Sequence, residues 1–274
     1  MNKGLKRFVK GDLTVRGIAL FYIGLLIILP VIAITTEAFK GGIPNLWKQI
    51  TLPQALFSLK FTFIIALIML VINIITGTAT AWVLVRYDFP LKKTINALID
   101  IPFAIPTVVT GMMLIVLCGP RSLIGDFFGK HGIEIIYNKP GIILALIFVT
   151  FPFVVRSVQP VLIEMERDME EAAQTLGASK FKIFFHIVLP TIFPSMLTGA
   201  ALSFSRALGE FGSIVIVAGN IPMKTQVASV YIYGEIESAN IQSGLGTAVV
   251  LLLSSFIVLI FLNFIQRWSN KYGK

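Results

Sequence analysis

Residues 171 to 190 read Glu171-Ala-Ala-Gln-Thr-Leu-Gly177-Ala-Ser-Lys-Phe-Lys-Ile-Phe-Phe-His-Ile187-Val-Leu-Pro190, a polar island in an otherwise apolar chain. Around its start, Met165, Met169, Ala172 with Ala173, and Leu176 recur at helical spacing, while Glu164, Arg167, Asp168, Glu170 and Glu171 fill the rest of the helical wheel. One face is therefore apolar and built of small or flexible side chains, the kind that lies in a partner's groove. Gly177 accepts backbone angles that residues with a β-carbon resist, so the chain is expected to turn there. Lys180 to Ile187 follows with Phe181, Phe184 and Phe185, expected to pack the island against the apolar sequence that Pro190 re-enters. The pattern predicts a protruding helix-turn-helix that a second protein grips. An amphipathic helix resting on a lipid surface is the competing reading, but Arg167, Lys180 and Lys182 stand against five acidic residues, a poor match for anionic lipid.

The rest of the chain says where such an island sits. Its 274 residues are 56% hydrophobic and 14% charged, with the apolar residues in long blocks, which indicates an all-α membrane protein. A helix crosses a hydrocarbon core of ~30 Å with about 20 apolar residues. Six spans are expected, near 17–36, 61–85, 101–118, 141–157, 187–212 and 246–265. The fourth is short. The fifth runs on through Ser213 to Ala218, too long for one upright span, so part of it is expected to fold back or lie at the outer surface.

The net charge of +9 is mostly a topology signal, because lysines and arginines gather in the gaps between apolar blocks. The N-terminus, the loops near 86–100 and 156–186, and the C-terminus carry 15 of them, against seven in the other three loops. The positive-inside rule then puts both termini and the island in the cytoplasm, with Trp82 and Trp268 near cytoplasmic span ends. The expected layout is a cytoplasmic segment 1–16, a membrane domain 17–265 containing the island near 164–190, and a cytoplasmic tail 266–274. The first span is read as uncleaved, since no convincing small-residue cleavage site follows it.

Several chemistries lack their residues. Cys118 is the single cysteine, which excludes a disulfide framework within the chain. The nearest approach to a phosphate-binding loop, Gly125-Asp-Phe-Phe-Gly129-Lys130-His131, has the wrong spacing and no hydroxyl for magnesium. His131 and His186 fall in loops on opposite faces, so no metal site is expected, and no nucleophile or HExxH motif is present. Nucleic acid is not an expected partner.

Two intramembrane features invite function. Arg206 and Glu210 stand four residues apart, and Arg206 lies 16 residues beyond Pro190, roughly 24 Å along a helix, which places the pair toward the outer side. They either neutralise each other and lock the helix end, or Arg206 meets a passing anion that Glu210 orients or releases, with Ser203 and Ser205 as further donors. Asp100-Ile-Pro102-Phe-Ala-Ile-Pro106-Thr107-Val-Val-Thr110-Gly111 opens the third span. Its prolines either start and kink a helix or free backbone groups along a pathway that Thr107 and Thr110 line.

The spacing of Glu171, Ala172, Ala173, Gly177, Ile187, Leu189 and Pro190 resembles the EAA loop of bacterial ABC-importer permeases. Ala81–Tyr87, Asp100–Thr107, Phe151–Pro160, Ala207–Gly212 and Ala218–Pro222 are similar to sulfate/thiosulfate permeases of the CysT type. Ala207–Gly212 and Gly219–Pro222 are also similar to molybdate permeases, and Lys224-Thr225-Gln226 leans that way. The resemblance implies a type I ABC-importer (MetI-like) fold with a cytoplasmic coupling helix in a bacterial inner membrane. It implies that Met169, Glu170, Glu171, Ala172, Ala173, Leu176 and Gly177 dock on an ATPase, and that ATP and magnesium are bound by that partner, this chain holding no cofactor. The implied assembly has a second permease of the CysW type, two ATP-binding subunits of the CysA type and an external sulfate-binding protein. Sulfate or thiosulfate would cross by alternating access. A molybdate or tungstate permease, a secondary transporter or channel, and a bare scaffold subunit remain as alternatives.

Overall fold

The structure, a computed structural model, describes residues 14–272, with the side chains of residues 263 and 266–272 left aside. Most of the 1–16 segment, the end of the 266–274 tail and the Trp268 side chain lie outside the described residues. Five helices are long and apolar enough to cross a membrane: α1 (Thr14–Ala38), α3 (Pro53–Arg86), α8 (Lys139–Glu164), α10 (Lys180–Leu208) and α13 (Ile241–Tyr272, apolar through Leu262). Shorter helices fill the connections: α2 (Gly42–Ile50), α4 (Lys92–Leu98), α5 (Ile101–Ala104), α6 (Thr107–Cys118), α7 (Leu123–Lys130), α9 (Asp168–Thr175), α11 (Gly212–Val217) and α12 (Ala228–Glu237).

The third expected span is not a straight helix. Lys92–Ala104 and Thr107–Cys118 meet at 115°, because Pro106 lacks an N–H and pushes Ile105 into extended backbone. The 12 residues of α6 rise only ~18 Å, short of the hydrocarbon core. The fourth span is longer than expected, 26 residues, with Pro152 and Pro160 inside it. Arg156 and Gln159 flank the expected end at 157, yet both join a network around Asn96 on one side of the helix. The fifth run is interrupted: α10 ends at Leu208 and α11 is a separate turn and a half.

Helices α3, α8 and α10 form the centre. Gly77 and Gly199 flank Val154, and a β-carbon on either glycine would stand 2.8 Å from a Val154 atom, so the three backbones approach as closely as the sequence permits. A polar seam crosses the same contact. Asn73 Nδ2 donates to Thr150 Oγ1 (2.7 Å), the Thr150 hydroxyl donates to the Leu146 carbonyl (2.6 Å), and the Ser203 hydroxyl donates to the Thr150 carbonyl (3.1 Å). All three are fully buried. Around the seam lies the main apolar cluster, including Phe61, Met69, Ile142, Leu146, Phe204 and Ile214. α13 covers one side of this centre and α1 meets it through Leu29–Ala38, leaving most apolar side chains of α1 exposed.

The bent helix pair is fastened from α8. Arg156 grips the Asp100 carboxylate through Nε (2.7 Å) and Nη2 (2.8 Å) and donates to the Asn96 carbonyl (2.6 Å) and side chain (2.9 Å), while Gln159 Nε2 also reaches Asn96 (3.0 Å). A fork-to-fork pair backed by amide bonds holds geometry better than an isolated surface ion pair. In a double-mutant cycle, Arg156→Ala and Asp100→Ala should show a coupling of about 1–2 kcal/mol in thermal unfolding of the detergent-solubilised protein. Independent effects would show that the clamp does not hold the bend.

Candidate functional site

The island folds as one short helix and a tight return. After the last residue of α9, Gly177 takes φ +83°, its N–H bonds the Gln174 carbonyl (2.9 Å), and the Ala178 N–H bonds the Ala173 carbonyl (3.0 Å). This pairing closes a Schellman turn, which satisfies carbonyls that the helix end would otherwise leave open. Ser179 then caps α10, its hydroxyl accepting from the Lys182 N–H at 3.3 Å. Helix, glycine turn and capped helix therefore follow within a dozen residues.

The apolar stripe read from the sequence divides in two. Met165 lies before α9, not on it, and is buried in a cluster with Val158, Leu162 and Ile183, against which Ala173 and Ala178 also pack. Met169, Ala172 and Leu176, at i, i+3 and i+7, face outward, and Leu176 is 89% exposed. Glu171 and Gly177 are also exposed, while Glu170 is half-buried. Phe184 alone of the three phenylalanines packs inward, edge-on to Trp82 with centroids 5.2 Å apart; Phe181 and Phe185 meet at a tilt at the surface.

Arg86 fastens α9 to the bundle, and the sequence reading assigned it no such role. It ends α3, a helix of ~51 Å that outruns a bilayer, and its side chain is 9% exposed. Nη2 binds Glu170 Oε1 at 2.5 Å and Nη1 donates to the Leu162 carbonyl at 3.1 Å, at the C-terminal end of α8 where a cation complements the helix dipole. One guanidinium thus joins α3, α8 and α9.

At the other candidate site, Arg206 and Glu210 stand at a break between two helices. α6 and α11 run side by side, with Thr107 against Gly212 and Gly111 against Ser213 and Ile216, and they end together where the Tyr137 N–H bonds the Val217 carbonyl. Glu210 sits at the foot of α11, about 9 Å from its far end by helix rise. The break at Gly209–Phe211 separates α10 from α11 there. Glu210 is 1% exposed; one carboxylate oxygen accepts from the Ser213 N–H (2.9 Å) and hydroxyl (2.8 Å), and the other meets Arg206 Nη2 at 2.7 Å. The Ser229 hydroxyl donates to the Glu210 carbonyl (2.7 Å). Arg206, about one-third exposed, shows no further partner among the described residues, so its guanidinium is anchored at one edge and open at the other.

Thr107 is brought to this break. Ser203 and Thr110 are not on an open surface: Ser203 belongs to the buried seam, and Thr110 is buried with its hydroxyl unpartnered among the described residues. The Ser205 hydroxyl is bonded to the Ala201 carbonyl. Thr225 and Gln226 are buried too. The Thr225 hydroxyl closes its own loop between the Ala218 carbonyl and the Ile221 N–H, and Gln226 bonds Asn220, so loop closure accounts for that pattern without a substrate.

A helical bundle with broken half-spans and a projecting capped helix defines a type I ABC-importer permease fold. Residues 73–271 match the family model described as the inner membrane component of binding-protein-dependent transport systems, and the chain belongs to that family. It is 40% identical over 256 residues to the sulfate transport system permease protein CysT of Synechocystis sp., covering 93% of this chain and 90% of the relative. To the probable sulfate transport system permease protein cysT of Marchantia polymorpha it is 42% identical over 274 residues, covering 100% and 95%. A solved bacterial ABC transporter involved in import of the acidic polysaccharide alginate aligns at TM-score 0.78 and 17% identity, over 97% of this chain and 99% of that one. The same transporter in complex with an alginate pentasaccharide-bound periplasmic protein aligns at 0.79 and 17% identity, over 98% and 99%.

Arg86→Gln should cost about 2–3 kcal/mol in unfolding and raise amide exchange through α9, because buried acceptors and Glu170 lose their charged donor together. Glu170→Gln should cost less, since the backbone contacts of Arg86 remain. Equal exchange in wild type and Arg86→Gln would remove Arg86 as the fastener. At the turn, Gly177→Ala should cost ~1 kcal/mol and Gly177→Asn less, since asparagine tolerates the left-handed region better.

Proposed function

We propose that this chain is one of two permease subunits of an ATP-driven importer of sulfate or thiosulfate, coupled through α9 to an ATPase that holds ATP and magnesium. The observation that carries the coupling reading is a contradiction in α9: a helix fixed rigidly by Arg86 and a Schellman turn still presents Met169, Ala172 and Leu176 to the exterior. An exposed apolar face on a rigid projection fits a partner's groove, with Glu171 at its edge. The proposed assembly adds a homologous second permease, two ATP-binding subunits and an external sulfate-binding protein. In this reading the island end and both termini are cytoplasmic, the membrane domain spans about 17–265 with the coupling loop near 164–190, and no ATP chemistry occurs on this chain.

The oxyanion is proposed from the relatives' sulfate permease names and from Arg206. A dianion cannot enter hydrocarbon without compensating donors. The open edge of Arg206 offers a planar fork suited to a tetrahedral oxyanion, and Glu210 keeps that fork in place. Thr107 lies beside the same break. The motion would be alternating access: closure of the ATPases moves α9, and the two permeases rock between inward- and outward-facing states.

In proteoliposomes holding the whole assembly, Leu176→Asp should abolish sulfate-dependent ATP hydrolysis while leaving the permease folded. Arg206→Ala should lower sulfate uptake about 10- to 100-fold, the worth of a charge-assisted contact, with assembly intact. Arg206→Lys should recover part of it, because an ammonium lacks the fork. Full uptake in assembled Arg206→Ala would end the pathway assignment. Uptake of radiolabelled sulfate that molybdate outcompetes at equal concentration would move the substrate to molybdate.

A further inference from the structure

A groove of about 680 Å³ runs between α3 and the foot of α10, lined by Ile74, Ile75, Trp82, Phe184, Leu189 and Met196, with Phe181 and Phe185 on its lip. Its walls are almost wholly apolar. It opens onto an exposed stripe of α3, where Ile64, Leu67, Val71 and Ile75 follow one another at helical spacing. Such a stripe on a spanning helix belongs in hydrocarbon, so the groove continues the lipid-facing surface.

The other end of the groove is basic. Lys180 borders it and Lys182 follows, both in the first turn of α10, where the helix dipole disfavours cations. Neither lysine has an ion pair among the described residues. The acids that outnumber them in the sequence are carried by α9 and its flanks, from Glu164 to Glu171, and the Schellman turn separates that segment from α10. Averaged over the island, the charge opposes anionic lipid; resolved in space, Lys180 stands between the aromatic rim of this groove and an adjoining cavity where Arg86 and Arg167 face Glu170 and Glu171, Glu170 being already paired with Arg86. Trp82, Tyr87, Phe181 and Phe185 at the end of an apolar groove form the amphipathic belt expected at headgroup level.

We propose that this groove binds an anionic phospholipid, one acyl chain lying along Ile75 and Leu189 and the headgroup phosphate held by Lys180, with Lys182 beside it adding to the positive field. Charge complementarity selects that occupant over a neutral lipid, and continuity with the α3 stripe selects a lipid over a soluble peptide. The site adjoins the joint between α9 and α10, so the lipid stiffens the place where a pull on the island enters the membrane. The proposed coupling supplies only the side of the membrane, the cytoplasmic leaflet.

The test uses the whole assembly in nanodiscs with photoactivatable phosphatidylglycerol or phosphatidylcholine as probes, followed by mapping of the labelled peptides. Phosphatidylglycerol should label the segments around 74–82 and 181–189 about tenfold more than phosphatidylcholine, given a contribution of about one kcal/mol per lysine. Lys180→Gln with Lys182→Gln should bring the two probes to parity while preserving neutral-lipid labelling. Equal labelling of the wild type by both probes would overturn the headgroup assignment. Protection of the groove by another subunit would overturn lipid as its occupant. Labelling needs no transport, so an assembly in which α9 proves uncoupled from the ATPase would leave this result readable.

Discussion

Backbone N–H and carbonyl groups inside hydrocarbon need partners supplied by the protein, and the places where this chain breaks its helices are organised by that need. Two breaks occur within the membrane domain, at Ile105–Pro106 and at Gly209–Phe211. They are not scattered. Thr107 packs against Gly212, the Glu210 carboxylate takes the Ser213 N–H, and the Ser229 hydroxyl covers the Glu210 carbonyl. The most deeply buried charge among the described residues is thus an answer to an interrupted helix, and Arg206 is there to balance it.

This arrangement reconciles the two readings of Arg206 and Glu210. The Glu210 carboxylate is fixed by the Ser213 N–H, the Ser213 hydroxyl and Arg206. Its effect is to hold one edge of a guanidinium whose opposite edge stays open. An anion path needs donors that cost little to orient at the moment of passage, and an arginine anchored from behind meets that condition. On the proposed function, the structural role of Glu210 is what would make Arg206 useful.

The island and most spans were legible in the sequence because their signals are local: an amphipathic stretch, a glycine at a turn, a long apolar run. Arg86 and Arg156 were not. Their partners lie 84 and 56 residues away, and in a membrane chain an arginine beside a span already has an explanation in topology. The signal available was position, since Arg86 ends a helix near acids and Arg156 follows an apolar run it prematurely appears to end. The break beside Glu210 was hidden for a related reason: the Gly209–Gly212 interval lies inside apolar sequence. Mean charge misled as well. Composition gave one acidic island, whereas the turn at Gly177 separates an acidic helix from a basic one.

The same geometry determines how motion could travel. α9 has almost no core of its own, so force applied to it leaves through its attachments, and these lead to different helices. Arg86 hands it to α3 and to the end of α8, and the Gly177 turn hands it to α10. Those three helices are bound to one another by the Asn73–Thr150–Ser203 seam and by the close contacts at Gly77 and Gly199, so they move as a block rather than slide. From Lys180 the block includes a continuous helix of 29 residues, ~43 Å long, that ends one residue before the break beside Arg206. A π-helical stretch at Phe184–Val188 and Pro194 lie within it, so bending is shared between these positions and the interruption at its end. On the proposed coupling, the chain needs no relay of small side-chain shifts to connect the cytoplasmic island with the anion path; it needs only that α10 stay continuous and that these positions yield.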